Sequence, residues 1–232
     1  MKIALLGYGK MGKTIEKMAL QKGHEIVYKS TSSSQSGNFK DAQIAIEFSI
    51  AETAPANIKR CFEAQIPVVC GTTGWLDQKI DVEKACQNCN GSFIYASNFS
   101  VGVHLFFNLN KHLAKLMEPW NEYDIAIEEI HHTQKKDAPS GTAISLAEDV
   151  LPFTNKKKWA LDNIAHDAIP IKALRETDVK GTHSVGFTSK IDTITIKHEA
   201  HTRDGFAKGA IIAAEFLIDK KGVFTMSDVM GL

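Results

Sequence analysis

The chain of 232 residues has no excess of either charge, since 27 Lys and Arg balance 27 Asp and Glu. That balance removes the bulk field that draws a protein to nucleic acid or to an anionic membrane surface. Neither is expected as a partner. No apolar run approaches the ~20 residues needed to cross a bilayer. The opening Met1-Lys2-Ile3-Ala4-Leu5-Leu6-Gly7 is too short, and too soon broken by glycine, to read as a secretion signal. A cytoplasmic protein is expected. Cysteine is scarce, at four residues. Cys86 and Cys89 have redox or zinc spacing, but no second pair at metal spacing accompanies them. Reduced thiols and no metal are therefore expected. Internal repeats, low-complexity tracts and flexible linkers are also missing. What remains is an ordinary globular composition, with 44% hydrophobic residues, enough for one large domain or two small ones.

The first half alternates strand and helix patterns. Lys2 to Leu6 is a short apolar run that reads as a buried strand, and it leads into Gly7-Tyr8-Gly9-Lys10-Met11-Gly12. A helical pattern follows, with Ile15, Met18 and Ala19 on one face and Gly23 as its stop; His24 to Lys29 reads as a second strand. Between a first strand and a helix, GxGxxG is the context expected for dinucleotide binding. The first two glycines permit a tight turn and close approach to a pyrophosphate, and the third lets helix and strand pack. Further strands at 44–49, 67–70 and 92–96 alternate with helices at 55–65 and 76–89, which predicts a doubly wound parallel sheet. Ligands of such sheets lie beyond the carboxyl ends of the strands. Gly71-Thr72-Thr73-Gly74 and Ser97-Asn98-Phe99-Ser100 fall at such ends.

The second half changes character. Val101 to Met117 reads as a long amphipathic helix with Val103, Phe106, Phe107, Leu109, Leu113 and Leu116 as its core face. A strand at 123–130 precedes the most informative stretch, His131-His132-Thr133-Gln134-Lys135-Lys136-Asp137-Ala138-Pro139-Ser140-Gly141-Thr142-Ala143. Two imidazoles and two ammonium groups stand before Asp137 and Pro139, which read as an N-cap and a first-turn proline. Ser140, Gly141 and Thr142 then offer hydroxyls and N–H groups at the positive end of a helix running to Val150, a site suited to a carboxylate with proton donors alongside. His131 and His132, as neighbours at a strand end, should point to opposite sides. Strands at 182–188 and 191–199 follow; the second largely alternates apolar and polar residues, as on a sheet with one wet face. Such a face points to a homo-oligomer. Thr154 to Ala173 has mixed polarity and no assigned element, 206–218 reads as a closing helix, and 220–232 as a tail.

The pieces GYGKMG at 7–12, GTTG at 71–74, ASNFSVGV at 96–103, EIHHTQKKDAPSGTA at 129–143 and the ending MSDVMGL resemble the 4-hydroxy-tetrahydrodipicolinate reductase family, formerly dihydrodipicolinate reductase, of the diaminopimelate route to lysine. The resemblance implies a Rossmann-type α/β domain at 1–98, completed by about 209–232. It also implies an inserted α+β domain at 99–208 for substrate binding and homotetramer formation. It implies NADH- or NADPH-dependent reduction of a small cyclic dicarboxylate. By matching position His131 corresponds to a proton donor/acceptor and Lys135 to the general acid. His132, Ser140, Gly141 and Thr142 correspond to substrate contacts. Gly7, Tyr8, Gly9, Lys10, Met11, Gly12, Gly71, Thr72, Thr73, Ala96, Ser97, Asn98 and Phe99 correspond to cofactor contacts. Where the family often has Arg-Gly-Gly ahead of a Gly-x-His, this chain has Arg175-Glu176-Thr177, with Gly181 and His183 following.

Two other readings compete. A semialdehyde dehydrogenase needs a nucleophilic thiol, and no cysteine stands near the His/Lys stretch in sequence. A non-catalytic nucleotide sensor would keep the glycine turn but has no use for Lys135 or the helix-start triad. For the cofactor, an NAD site usually places an acid at the end of the second strand. No acid occurs between Ile26 and Lys40. Lys29 and the following hydroxyls are candidates to meet a 2′-phosphate, so use of both cofactors with NADPH favoured is expected.

Overall fold

The computed structural model describes residues 1–162 and 165–232. It divides into two units, one of residues 1–101 with 204–232 and the other of residues 102–203.

The first unit begins with β1 (Lys2–Leu6), α1 (Lys10–Gln21) and β2 (Glu25–Ser30). The serine-rich segment after β2 is an ordered turn, because the Thr31 hydroxyl accepts from the Ser33 and Ser34 N–H groups. It leads into β3 (Gln35–Gly37), a short edge strand antiparallel to β2 that the sequence pattern did not reveal. Then come β4 (Ile44–Glu47), α2 (Ala54–Glu63), β5 (Val68–Cys70), a 3-10 turn at Leu76–Gln78, α3 (Lys79–Asn88) and β6 (Ser92–Tyr95). Pro55 sits in the first turn of α2, where a missing N–H costs no helical bond. All residues of β4 and β5 are buried, as in parallel strands covered on both faces. Strand periodicity splits β1 between two cores: Ile3 and Leu5 join one cluster, Ala4 and Leu6 the other.

The second unit holds α4 (Val101–Met117), β7 (Asp124–His131), α5 (Gly141–Val150), β8 (Lys158–Leu161), β9 (Ala168–Arg175), β10 (Thr182–Thr188) and β11 (Thr193–Glu199). Strands β8 and β9 fill the stretch left unassigned from sequence, of which residues 163 and 164 lie outside the described residues. The sheet is mixed, in the order β11-β10-β7-β9-β8. Helix α4 corrects one expectation. Val103 and Phe106 are buried and Phe107 and Leu113 pack partly, but Leu109 and Leu116 are 49% and 57% exposed. The inward stripe instead runs Val103, Phe106, Asn110, Ala114, Met117. Asn110 is tolerated there because its amide donates to the Leu146 carbonyl at 3.0 Å.

The chain then returns to the first unit through α6 (Asp204–Leu217), β12 (Gly222–Phe224) and α7 (Met226–Met230). The expected tail is thus structured: β12 pairs in parallel with β6, and a capping box between Thr225 and Asp228 starts α7. The completed sheet has the order β12-β6-β5-β4-β1-β2-β3. Sequence order reverses beside β1, and the crevice between the ends of β1 and β4 is where doubly wound sheets bind ligands.

The cysteines are free thiols, with Cys61, Cys70 and Cys86 buried and Cys89 half-buried. Burial pushes the Cys61 and Cys70 thiols up, and burial with Cys89 nearby pushes Cys86 up to about 11. Thiolate is the reactive form. Ellman's reagent should therefore label at most one thiol rapidly in the native protein and four after denaturation; rapid loss of Cys86 would contradict this packing.

Candidate active site

At the crevice of the first unit lies a cavity of about 710 Å³. Gly7, Tyr8 and Gly9 line it with Tyr28 and the Ser30–Gln35 turn, and Phe48, Ser49, Ile50, Thr53, Asn57 and Arg60 supply the remainder. The glycine turn fits a dinucleotide phosphate. Gly7 has φ +96°, and a Cβ there would stand 2.2 Å from the Phe48 carbonyl oxygen. A Cβ on Gly12 would stand 2.4 Å from the Gly7 carbonyl oxygen, so this glycine lets α1 close on the turn. Nothing lies within 4 Å of where a Gly9 Cβ would be, which leaves the start of α1 open to an anion.

The other expected cofactor residues are placed variously. Lys10 is exposed, whereas Met11 is half-buried and packs against the core. Gly71, Thr72 and Thr73 follow β5, where Thr72 Oγ1 is buried without a hydrogen-bond partner, and the Thr72 carbonyl accepts from the Trp75 indole at 2.7 Å. Ala96 to Phe99 follow β6: Ser97 is exposed, Asn98 Oδ1 accepts from the Ser100 N–H, and the Phe99 ring is core, 5.9 Å from Phe48. Lys29 does not line the cavity. Its ammonium pairs with Glu16 at 2.5 Å and lies over the Tyr8 ring, whose hydroxyl donates to Glu16. The hydrogen bond to Glu16 raises the Lys29 pKa.

The second unit assembles the His/Lys stretch around a residue that sequence reasoning passed over. On β7 the inward positions are Ile125, Ile127, Glu129 and His131, and Glu129 is fully buried. Both its oxygens accept from the Ser140 N–H, at 3.0 and 3.1 Å. The Arg175 guanidinium approaches one oxygen at 3.4 Å, and His131 Nδ1 and His183 Nε2 lie 3.6 and 3.7 Å from the other. Strand register makes this meeting: His183 lies opposite Glu129, and Arg175 beside His131. Arg175 also donates to the carbonyls of Lys135 and Asp137, at 3.3 and 2.6 Å, and so holds the loop between them. The period-two pattern of β7 carried a signal for Glu129, an acid on an otherwise apolar inward face.

The helix start differs from expectation. Ser140, not Asp137, is the N-cap of α5, its hydroxyl accepting from the Ala143 N–H at 3.2 Å. Pro139 precedes the helix. Asp137 instead grips the Lys135 ammonium with both oxygens, at 2.7 and 2.8 Å, and that hydrogen bond lowers its pKa. The anion site is therefore narrower than the sequence suggests. Glu129 takes the Ser140 N–H and the Ser140 hydroxyl takes that of Ala143, so Gly141 and Thr142 supply the remaining donors of this turn. The two histidines differ in burial: His131 is buried with its ring edge-on to His183, centroids 5.0 Å apart, while His132 is half-buried, and Nδ1 of each is without a hydrogen-bond partner.

Electrostatics sets the charge states. Burial pushes Glu129 up, but hydrogen bonds from His183 and Ser140 outweigh it and hold the carboxyl at about 2. Burial, reinforced by His183, holds His131 down at about 4 despite the carboxylate beside it. His131 is thus neutral near pH 7. Glu129, His131 and His183 have donor atoms within 4.8 Å of one another, a set able to meet a cation. Arg175 already brings positive charge to that carboxylate.

Comparison with known proteins now bears on both sites. Residues 1–99 match the profile described as dihydrodipicolinate reductase, N-terminus, and residues 102–230 the profile for its C-terminus. The 4-hydroxy-tetrahydrodipicolinate reductase of Christiangramia forsetii is 51% identical over 233 residues, covering 99% of this chain and 98% of that protein. The enzyme of the same name from Methanocaldococcus jannaschii is 36% identical, over 82% of this chain and 71% of that one. Among solved structures, a dipicolinate-bound dihydrodipicolinate reductase from Paenisporosarcina sp. TG-14 shares the fold, with a TM-score of 0.76, 20% identity and 97% coverage of both chains. An amine dehydrogenase from Mycobacterium smegmatis shares it more distantly, with a TM-score of 0.60, 7% identity and coverage of 97% and 95%. With both family profiles matched along its length and a relative identical at half its positions, the chain belongs to the dihydrodipicolinate reductase family.

Proposed function

We propose that the protein reduces 4-hydroxy-tetrahydrodipicolinate to tetrahydrodipicolinate with NADPH or NADH, water being lost. The observation that carries this reading is the Lys135–Asp137 pair held beside the start of α5 by Arg175 and Glu129. A nucleotide sensor has no use for such a device. A thiol route fails as well, because the cysteines lie in the first unit and three of the four are buried.

The glycine turn, Thr72, Thr73 and Ala96 to Phe99 would hold the nicotinamide dinucleotide, which when bound supplies a hydride. The residues of the second unit bind the substrate and manage the proton. The substrate carries two carboxylates, and the N–H groups of Gly141 and Thr142 with the Thr142 hydroxyl and His132 are the donors for one of them. Hydride addition leaves negative charge on the ring, which a proton quenches. His131 is neutral near pH 7, so the ammonium of Lys135 supplies that proton and Asp137 fixes its position.

Lys135→Ala should lower kcat by about a hundredfold or more, with NADPH affinity nearly unchanged. A near wild-type kcat would remove Lys135 from this role. Thr142→Val should chiefly raise KM, because a carboxylate contact serves ground and transition states alike; an unaltered KM would remove the helix-start anion site. Ser140 is a poorer probe, since losing an N-cap hydroxyl itself costs about 0.5–2 kcal/mol.

The same network sets a pH dependence of stability. Between its ordinary 6.5 and about 4, His131 is protonated in the unfolded chain and not in the folded one. Between 4.5 and about 2 the same holds for Glu129. In both windows the unfolded state binds more protons, so stability falls as pH is lowered. Melting temperatures should decline from pH 6.5 to 4, and His131→Gln should flatten part of that slope; an unchanged slope would place its source elsewhere.

The open face of the second sheet supports a homotetramer. Thr193, Thr195 and Lys197 on β11 are exposed, whereas Ile196 packs against the core. Light scattering at micromolar concentration should report four chains, and a monomer would refute the assembly.

A further inference from the structure

We propose that Arg60, on α2, is the residue through which this chain distinguishes NADPH from NADH, by binding the 2′-phosphate. The proposal rests on the reading that the first unit holds a nicotinamide dinucleotide. It goes beyond that reading by assigning a selectivity that neither the family membership nor the glycine motif decides.

The first observation is charge. Among the described residues lining the crevice cavity, Arg60 is the one cation, and no carboxylate lines it. The second is geometry. The Arg60 guanidinium lies over the Phe39 ring, 4.2 Å from its centroid, and over the Tyr28 ring at 5.5 Å, with Nη1 3.5 Å from the Tyr28 hydroxyl. Phe39 is 7% and Tyr28 4% exposed, so these rings form a fixed platform. A guanidinium stacked by its face keeps its edge donors for a ligand, and its planar fork matches a phosphate. Among the described residues no carboxylate forms an ion pair with Arg60, so its charge is not already neutralised.

The third observation is position. A dinucleotide whose pyrophosphate lies on the Gly7–Gly9 turn carries its adenosine ribose toward the end of β2, where NAD enzymes place an acid for the 2′-hydroxyl. Here β2 ends at Ser30, and the serine turn and Arg60 both line the cavity, linked through Tyr28, whose hydroxyl donates to Gln35 at 2.7 Å. Lys29, the obvious cation from sequence, is held by Glu16 outside the cavity lining. The lysine that looks suited is committed elsewhere, and an arginine 31 positions later stands in its place. The short strand β3 and the following turn, Phe39–Asp41, supply the ring on which Arg60 rests.

The test uses the full chain and equilibrium binding, read from nicotinamide fluorescence or calorimetry. Arg60→Gln should raise the Kd of NADPH about tenfold to a hundredfold and leave that of NADH within about twofold. Arg60→Lys should restore part of the NADPH affinity, because it keeps the charge and loses the fork. Adenosine 2′,5′-bisphosphate should be weakened in parallel with NADPH, and AMP should not. Retained NADH binding serves as the control that the variant is folded. Equal losses for both dinucleotides would mean that Arg60 meets the adenine or supports the fold, and would overturn the proposal. So would an unchanged NADPH Kd, or a selective loss in Lys29→Gln that Arg60→Gln lacks. If the wild-type protein bound neither dinucleotide, the underlying reading would fail, a result distinct from a failure of selectivity.

Discussion

The buried carboxylate of Glu129 is the constraint around which the second unit is arranged. A fully buried charge demands donors from every side, and these come from separate parts of the chain: the Ser140 N–H at the start of α5, Arg175 at the end of β9 and His183 on β10. Satisfying that one group fixes the entry of α5. It also places the Lys135 and Asp137 carbonyls under Arg175, while burial and His183 keep His131 neutral against the pull of the carboxylate. The His/Lys stretch is exposed in places, yet it is anchored from beneath.

The first unit is organised by close approach rather than by charge. Its turn after β1 works because backbone meets backbone, Gly7 against Phe48 and Gly12 against Gly7. Those contacts bring the start of α1 to the crevice where strand order reverses. The two units therefore differ in character: the first presents a glycine turn built on close backbone contacts, the second a charged network around a buried carboxylate.

Much of this was legible. Local apolar runs and GxGxxG marked the parallel sheet, since buried parallel strands read as nearly continuous hydrophobic stretches. The limits of α4 were readable from periodicity, but its buried face was not, because Asn110 occupies the inward stripe and the leucines on either side draw the eye outward. The turn after β2 and β3 were not readable, because one depends on the Thr31 hydroxyl accepting from the Ser34 N–H and the other on pairing with β2. The helix start was misread by three residues, since Asp137 is as good an N-cap by type as Ser140, and only the nearby Lys135 decides which of them is free to cap.

The sequence by itself determined which chemical groups are present and in what order: a glycine turn after a first strand, a neighbouring His/Lys cluster, a small-residue helix start, and no acid at the end of β2. These are local patterns, fixed by spacing along the chain. Tertiary structure alone decided which groups meet. Strand register set His183 opposite Glu129 and Arg175 beside His131. Packing of α2 brought Arg60 to the cavity lining, while Glu16 on α1 pairs with Lys29 outside it. Partners dozens of residues apart are chosen by pairing and burial, and a cation's role depends on which carboxylate reaches it first.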